Sequence, residues 1–222
     1  MADPNPSFIY NPPTEPFLDV LHQDNDILVL NKPSGLLSVP GKADHLKDCL
    51  ERRAQGKFGD ARIVHRLDMD TSGVIVMAMN SQAHRHLGLQ FERRKTRKTY
   101  IARIWGQPEK NEGLVDLPLR CDWPNRPRQM VDHQLGRSAQ TKWEVLAREE
   151  ACALVRLSPI TGRSHQLRVH MLSLGHPILG DRFYAGAEAL AASNRLCLHA
   201  HKLGLHHPAN GEFLWFEAPV PF

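Results

Sequence analysis

Arg62-Ile-Val-His-Arg-Leu-Asp-Met-Asp-Thr-Ser-Gly73 runs directly into Val74-Ile-Val-Met-Ala-Met79. The first stretch carries polar and charged groups into a Thr-Ser-Gly turn. The second is wholly apolar and is the longest such run in the chain. An apolar run of this length behind a turn reads as a fully buried strand. A loop rich in reactive groups is therefore braced by a strand of the core, an arrangement that suits a functional site.

Outward from this stretch, Asp26-Ile-Leu-Val-Leu-Asn31 is another apolar, β-prone run, stopped by Lys32-Pro33-Ser34-Gly35. It reads as a buried strand entering a tight turn. Residues 44–54 read as a short helix. Asn80 or Ser81 caps a helix through about Arg94, with Leu87, Leu89 and Phe91 among its apolar positions and a basic last turn that suits the macrodipole. Residues 99–105 alternate towards a strand ended by Gly106, and further strands are expected over 140–147, 153–157, 196–205 and 212–217. Residues 164–174 read as a helix with Leu167, Met171 and Leu174 on one face. Short strands with two or three interspersed helices predict an α+β fold around a mixed, largely antiparallel sheet with flanking helices. The proline-rich segment 122–128 is the best internal loop and a candidate seam between two halves of one domain.

A chain of 222 residues with 41% hydrophobic and 23% charged content can bury one sizeable core. Its proline-rich first sixteen residues are expected to form an extended arm, leaving 17–222 as a single domain. No apolar run approaches the ~20 residues of a membrane helix. The opening MADPNPSFIYNPP lacks the basic head and apolar body of a signal peptide, so a cytoplasmic protein without membrane association is expected. Cys49, Cys121, Cys152 and Cys197 lie far apart with no CxxC pair. That spacing argues against a zinc ribbon or a disulfide framework and for free, buried thiols. The net charge is only +4, but it is unevenly spread, with 12 basic against 5 acidic residues in 51–103 and 3 against 7 in 1–50. The densest stretch, Arg93-Arg94-Lys95-Thr96-Arg97-Lys98, would draw a polyanion.

Several residues can carry chemistry. Asp68 stands two residues after Arg66 and three after His65. A carboxylate with cationic neighbours is a candidate nucleophile, and the plainer alternative is a turn aspartate bonding its own backbone. Asp68-Met69-Asp70 can also be read as a cation-binding pair, although no third carboxylate of obvious partnership lies nearby. The thirteen histidines form no HExxH or HxxxH pattern and read as satisfied core or surface groups. Gly162-Arg163-Ser164-His165-Gln166-Leu167-Arg168 concentrates two guanidinium groups that can hold a carboxylate or phosphates by forked hydrogen bonds; otherwise it is an amphipathic helix with solvated arginines. Tyr100 is either a half-buried strand residue or an aromatic face for an extruded base. Residues 32–41 form either a plain loop or one that closes over substrate.

Together, His65-Arg66-Leu67-Asp68-Met69-Asp70-Thr71-Ser72-Gly73, Asn31-Lys32-Pro33-Ser34-Gly35, Lys98-Thr99-Tyr100, Gly162-Arg163-Ser164-His165-Gln166-Leu167-Arg168-Val169-His170 and His176-Pro177-Ile178-Leu179-Gly180-Asp181 resemble the RluA family of pseudouridine synthases, in order and in spacing. The resemblance covers nearly the whole chain. It implies the pseudouridine synthase fold with a central active-site cleft and, as in the family's founding member, no separate N-terminal RNA-binding domain. It also implies isomerisation of uridine in RNA: the bond from ribose C1' to N1 breaks, the uracil turns, and C5 rejoins C1', with no cofactor or metal.

Carried over by position, Asp68 is the catalytic aspartate, Tyr100 the active-site tyrosine, and Arg168 the arginine that pairs with the aspartate. Arg66 fills the space of the flipped base. Lys32, Arg163 and the run Arg93, Arg94, Lys95, Arg97 and Lys98 hold phosphates, which positions RNA without specifying its sequence. The implied partners are 23S rRNA, at a hairpin loop, and tRNA anticodon stem-loops, and a monomer is expected. Two alternatives make different predictions. An RNA chaperone would keep its biological activity with Asp68 replaced, and a metal-dependent phosphodiesterase working through Asp68 and Asp70 would lose activity to a chelator.

Overall fold

The architecture is that of a computed structural model, which describes residues 9–222. In chain order the elements are β1 (Val20–Gln23), β2 (Ile27–Lys32), α1 (Leu50–Phe58), β3 (Arg62–Ile63), β4 (Ser72–Ala78), α2 (Ser81–Glu92), β5 (Arg97–Trp105), β6 (Glu112–Asp116), β7 (Leu119–Cys121), β8 (Gln129–Val131), β9 (Gln140–Arg148), β10 (Cys152–Pro159), α3 (Gln166–Ser173), α4 (Ala187–Ala191), β11 (Leu198–His206) and β12 (Phe213–Glu217). They divide between two compact units, Tyr10–Lys98 with His199–Phe222, and Thr99–Leu198. The chain passes between units within β5 and at the start of β11. The seam therefore does not fall at 122–128, which is instead the tip of the β7–β8 hairpin closed by the pair Cys121 and Gln129.

In the first unit, β4 is buried at every position, as its unbroken apolar run predicts. It pairs antiparallel with β2 along its length, with β3 at Met77 and Ala78, and parallel with β11 at Ser72 and Gly73. The parallel pair requires Gly73: its φ is +115°, and a Cβ there would lie 2.3 Å from the carbonyl oxygen of Ala200. One face of this sheet presents Ile27, Val29, Val74, Val76, Leu203 and Leu205 to Ala83 and Leu87 of α2. By strand alternation Leu28, Leu30, Ile75 and Met77, all buried, occupy the other face. β12 extends the sheet beside β11.

The second unit is an antiparallel sheet in the order β5, β10, β9, β6, with the β7–β8 hairpin as a separate two-stranded ribbon. Leu119 and Val131 of that hairpin pack on Val169 of α3 and on Tyr184. Helix α3 is buried at six of its eight positions, polar ones included. It is thus a core helix whose polar residues must find partners.

Local expectations shift in identifiable ways. The helix expected over 44–54 is a single 3₁₀ turn at Asp44–Leu46 followed by α1. Tertiary burial of Leu50 and Ala54 and the forked bond of Arg53 to Asp48, at 2.7 and 2.6 Å, set the later start. Helix α2 is capped by Asn80, whose side chain accepts the Ala83 N–H, but it ends at Glu92, so the basic residues lie beyond its last turn. Leu89 is exposed on α2, and Leu174 is exposed just past α3. The short strands β1, β3, β6, β7 and β8 had no clear periodic signal. Of the expected arm, residues 1–8 lie outside the described residues. Residues 9–16 are irregular and tied down: the Tyr10 hydroxyl donates to the Asp48 carbonyl and accepts the Leu37 N–H, and Arg53 donates to the Pro13 carbonyl. All four cysteines are free, three of them buried and Cys121 half-buried. Among the described residues no helix is long and apolar enough to cross a membrane.

Candidate active site

The loop carrying Asp68 has almost no regular structure, yet its backbone is bonded at nearly every residue. Ser38 Oγ donates to the Leu67 carbonyl at 2.7 Å and accepts the Leu67 N–H at 3.2 Å. Gly35 N–H donates to the Met69 carbonyl, Ser34 Oγ donates to the Asp70 carbonyl, and the Asp68 carbonyl accepts the Thr71 N–H. Segment 32–38 therefore acts as a clamp on the backbone either side of Asp68.

At the centre of the clamp is Lys32. Its side chain is completely buried, and Nζ donates to the carbonyls of Pro33, Leu36 and Met69 at 2.9, 2.7 and 2.8 Å. An ammonium group spent on three carbonyls in the interior does not reach RNA phosphate, so its expected phosphate contact is corrected to a positioning role. Asp68 itself is half-buried and Arg66 is exposed. His65 stacks on Phe91 with ring centroids 4.3 Å apart, and its Nε2 accepts the Val76 N–H. Burial, with Lys98 adding repulsion, pushes its pKa down to about 3, so the ring is neutral and carries its proton on Nδ1. Below the loop, Ser72 Oγ is 2.8 Å from His199 Nδ1.

The basic run begins at the C-terminus of α2. Arg93, Arg94, Lys95 and Arg97 are exposed, with the Arg97 guanidinium 5.3 Å over the Phe213 ring. Lys98 is half-buried, and burial followed by repulsion from Arg94 lowers its pKa. It is thus the least suited of the run to a solvent-facing phosphate contact.

In the second unit Tyr100 is half-buried on β5, opposite Leu157 of β10. Strand β10 leads through Thr161 and Arg163 into α3. Gln166 orders this entry: its Oε1 accepts from the Thr161 hydroxyl and the Arg163 N–H, and its Nε2 donates to the Gln140 carbonyl and Thr141 Oγ1. Arg163 is half-exposed, with Nε donating to the Ser138 carbonyl. Arg168 is a different case, being 2% exposed and forked onto Asp181 through Nε at 2.7 Å and Nη2 at 2.6 Å. Its guanidinium also lies 5.2 and 5.1 Å over the rings of Phe183 and Tyr184. Asp181 stands in the last of the quoted motifs, but nothing in its sequence context marks it as the carboxylate that orients Arg168. His165 sits at the helix entry with φ of +51°, unusual for a residue other than glycine, its Nδ1 2.7 Å from the Tyr184 hydroxyl.

Among the described residues, eleven histidine side chains have hydrogen-bond partners, which accords with reading them as satisfied groups. The described residues gather three potential metal ligands at Asp24, Asp26 and His207 rather than at the Asp68 and Asp70 pair.

The family model described as RNA pseudouridylate synthase matches residues 26–173, a span that includes Asp68, Tyr100 and Arg168. The chain belongs to this family. It is 58% identical, over 96% of its own length and 98% of the relative's, to the dual-specificity RNA pseudouridine synthase RluA of Escherichia coli (strain K12). To the protein of the same name from Haemophilus influenzae it is 53% identical over the same shares. Among solved structures it is similar to human RNA Pseudouridylate Synthase Domain Containing 1, with a TM-score of 0.77 and 28% identity over 98% of this chain and 87% of that one. The corresponding figures for human RNA Pseudouridylate Synthase Domain Containing 4 are 0.73 and 30%, over 91% and 88%. Family membership makes this synthase an isomerase that converts uridine to pseudouridine within RNA, and the family's α+β fold is the one described above.

Proposed function

We propose that this synthase acts on uridines in tRNA anticodon loops and in a hairpin loop of 23S rRNA, with Asp68, Tyr100 and Arg168 meeting the extruded uridine. The similarity to relatives named dual-specificity supports the two substrate types. The observation that carries the site is the clamp on Asp68, whose neighbouring backbone is held through Leu67, Met69 and Asp70 from segment 32–38. A reacting carboxylate gains most from such preorganisation, because its position need not be found again in each turnover.

Breaking the C1'–N1 bond builds positive charge on the ribose, and the Asp68 carboxylate stabilises that charge, captures C1' in a C–O bond that breaks as C5 rejoins, or relieves the charge by taking a ribose proton that it returns on rejoining. The uracil turns, C5 bonds to C1', the proton leaves C5 and N1 gains one, so the reaction balances as an isomerisation. Tyr100 lies against the uracil, and Arg66 takes the space of the flipped base. Phosphates are held by Arg163 and the exposed members of the run, Arg93, Arg94, Lys95 and Arg97. Residues 17–222 act as one catalytic domain, in the cytoplasm and as a monomer.

Tritium release from uridine C5 tests this reading, with an anticodon stem-loop and a 23S rRNA hairpin as substrates. Release from both by the wild type, and from neither by Asp68→Asn with unchanged RNA binding, is the expected result. Undiminished turnover by Asp68→Asn refutes the site, and release from only one RNA refutes dual specificity.

A further inference from the structure

The tip of the β7–β8 hairpin presents an aromatic residue that the fold does not use. Trp123 is 67% exposed although the Arg126 guanidinium lies 4.1 Å over its ring. A large aromatic held in water contributes little to the core, and it is the residue type on which unpaired bases stack. The tip is not a loose loop. Asp122 N–H donates to the Arg128 carbonyl, Arg128 N–H to the Asn125 carbonyl, Asn125 N–H to the Asp122 carbonyl, and Asn125 Nδ2 to Asp122 Oδ2. Trp123 thus stands on a closed 3₁₀ turn whose ordering cost is already met by folding.

The hairpin is also wired to the candidate arginine of the site. Leu119 and Val131 pack on Val169 of α3, the residue after Arg168. The Gln129 N–H donates to the Tyr184 hydroxyl at 2.8 Å, and that hydroxyl is 2.7 Å from His165 Nδ1 at the entry to α3. The Arg168 guanidinium lies over the same tyrosine ring. Between Arg120 and Arg137 the chain carries four arginines against two aspartates, and one of each is consumed in the Arg120–Asp132 ion pair. An arginine-rich tip with an exposed, arginine-stacked indole matches single-stranded nucleic acid in both charge and chemistry.

We propose that Trp123, held by Arg126, is a stacking platform for an unpaired nucleobase of the substrate loop other than the target uridine. This rests on the RNA-substrate reading and adds to it a positioning residue outside the quoted family motifs. Stacking accepts any base, so the platform favours an open loop with a splayed base and not a particular sequence. That property suits an enzyme whose substrates are loops of different RNAs.

The test uses full-length protein and an anticodon stem-loop with 2-aminopurine at successive loop positions other than the target. Trp123→Ala is expected to weaken binding about 10- to 100-fold, with kcat at saturation within about twofold and an unchanged melting temperature. Trp123→Phe recovers most of the affinity. At one loop position 2-aminopurine fluorescence is quenched by the wild type and restored in Trp123→Ala. Binding within twofold of wild type for Trp123→Ala, or quenching that persists in it, overturns the platform. Failure of the wild type to convert the loop uridine overturns the substrate reading instead, and the binding comparison still decides the platform.

Discussion

Asp181→Asn is a near-isosteric change that removes one charge from the interior. Its consequences can be worked from the geometry around Arg168. The two side chains are 2% and 0% exposed and meet through two bonds of 2.7 and 2.6 Å, while Asp181 Oδ1 also accepts the N–H groups of Phe183 and Tyr184 at 2.9 and 3.2 Å. The asparagine oxygen can keep one set of these bonds, but in either orientation its NH2 faces a guanidinium donor, and in one orientation it faces the two backbone N–H groups as well. Removing one partner of a buried pair costs about 3–5 kcal/mol, which is a factor of roughly 160 to 5,000 in the unfolding equilibrium. With a urea m-value of about 2.5 kcal/mol/M, the midpoint falls by about 1–2 M. Turnover falls as well, because the guanidinium loses the carboxylate that fixes its direction. Urea unfolding followed by fluorescence gives the first quantity, and C5-tritium release at saturating RNA gives the second. The double variant Arg168→Met, Asp181→Leu leaves no buried charge at this pair and is expected to be more stable than Asp181→Asn while remaining inactive. A loss below about 1 kcal/mol in the single variant, or wild-type kcat in it, refutes the assignment of Asp181 as the residue that positions Arg168.

Three further outcomes follow from the first unit. Lys32→Met withdraws the donor from three carbonyls and is expected to cost about 3 kcal/mol or more, with a drop in kcat larger than any change in RNA affinity; weakened binding with kcat intact would return Lys32 to the role of a phosphate ligand. Folded His65 takes up a proton only near pH 3, whereas an unfolded histidine does so near 6.5. The unfolded state therefore binds more protons between these values, and stability declines as pH falls below about 6.5, by about 1–2 kcal/mol at pH 5. His65→Gln is expected to flatten that part of the pH profile in chemical denaturation, and an unchanged slope rejects the explanation. Replacing the exposed Arg93 and Lys95 by glutamine is expected to reduce the slope of log Kd against log salt by about 1–2, read by filter binding across a salt series; an unaltered slope removes the pair from the RNA contact.

Periodicity and punctuation carried much of the architecture. The apolar run after Gly73 is the buried strand β4, the run from Ile27 is β2, and Asn80 caps α2, because alternation, uniform apolarity and capping chemistry act over a few residues. The same local logic failed where long-range packing chose the boundaries, as at α1, whose start follows the burial of Leu50 and the Arg53–Asp48 fork. It also failed for the three-residue strands of the β7–β8 hairpin, which are too short to show a period.

At the candidate site, the reactive loop before a buried strand was legible because it is a local pattern, and the motif order pointed to the family. The partners that hold the site were not. Lys32 was expected to hold a phosphate on the strength of the family resemblance, and only the fold brings Met69, 37 residues away, within reach of its ammonium group. Asp181 is 13 residues from Arg168, beyond the reach of any helical or strand spacing, and it meets the guanidinium because both side chains are excluded from water in the same core. Sequence alone determined which residues carry reactive groups and in what order they occur, since those are properties of side chains and local backbone. Tertiary structure decided which charges are buried, what neutralises them and where they point, because desolvation and forked hydrogen bonding depend on groups that are neighbours only after folding.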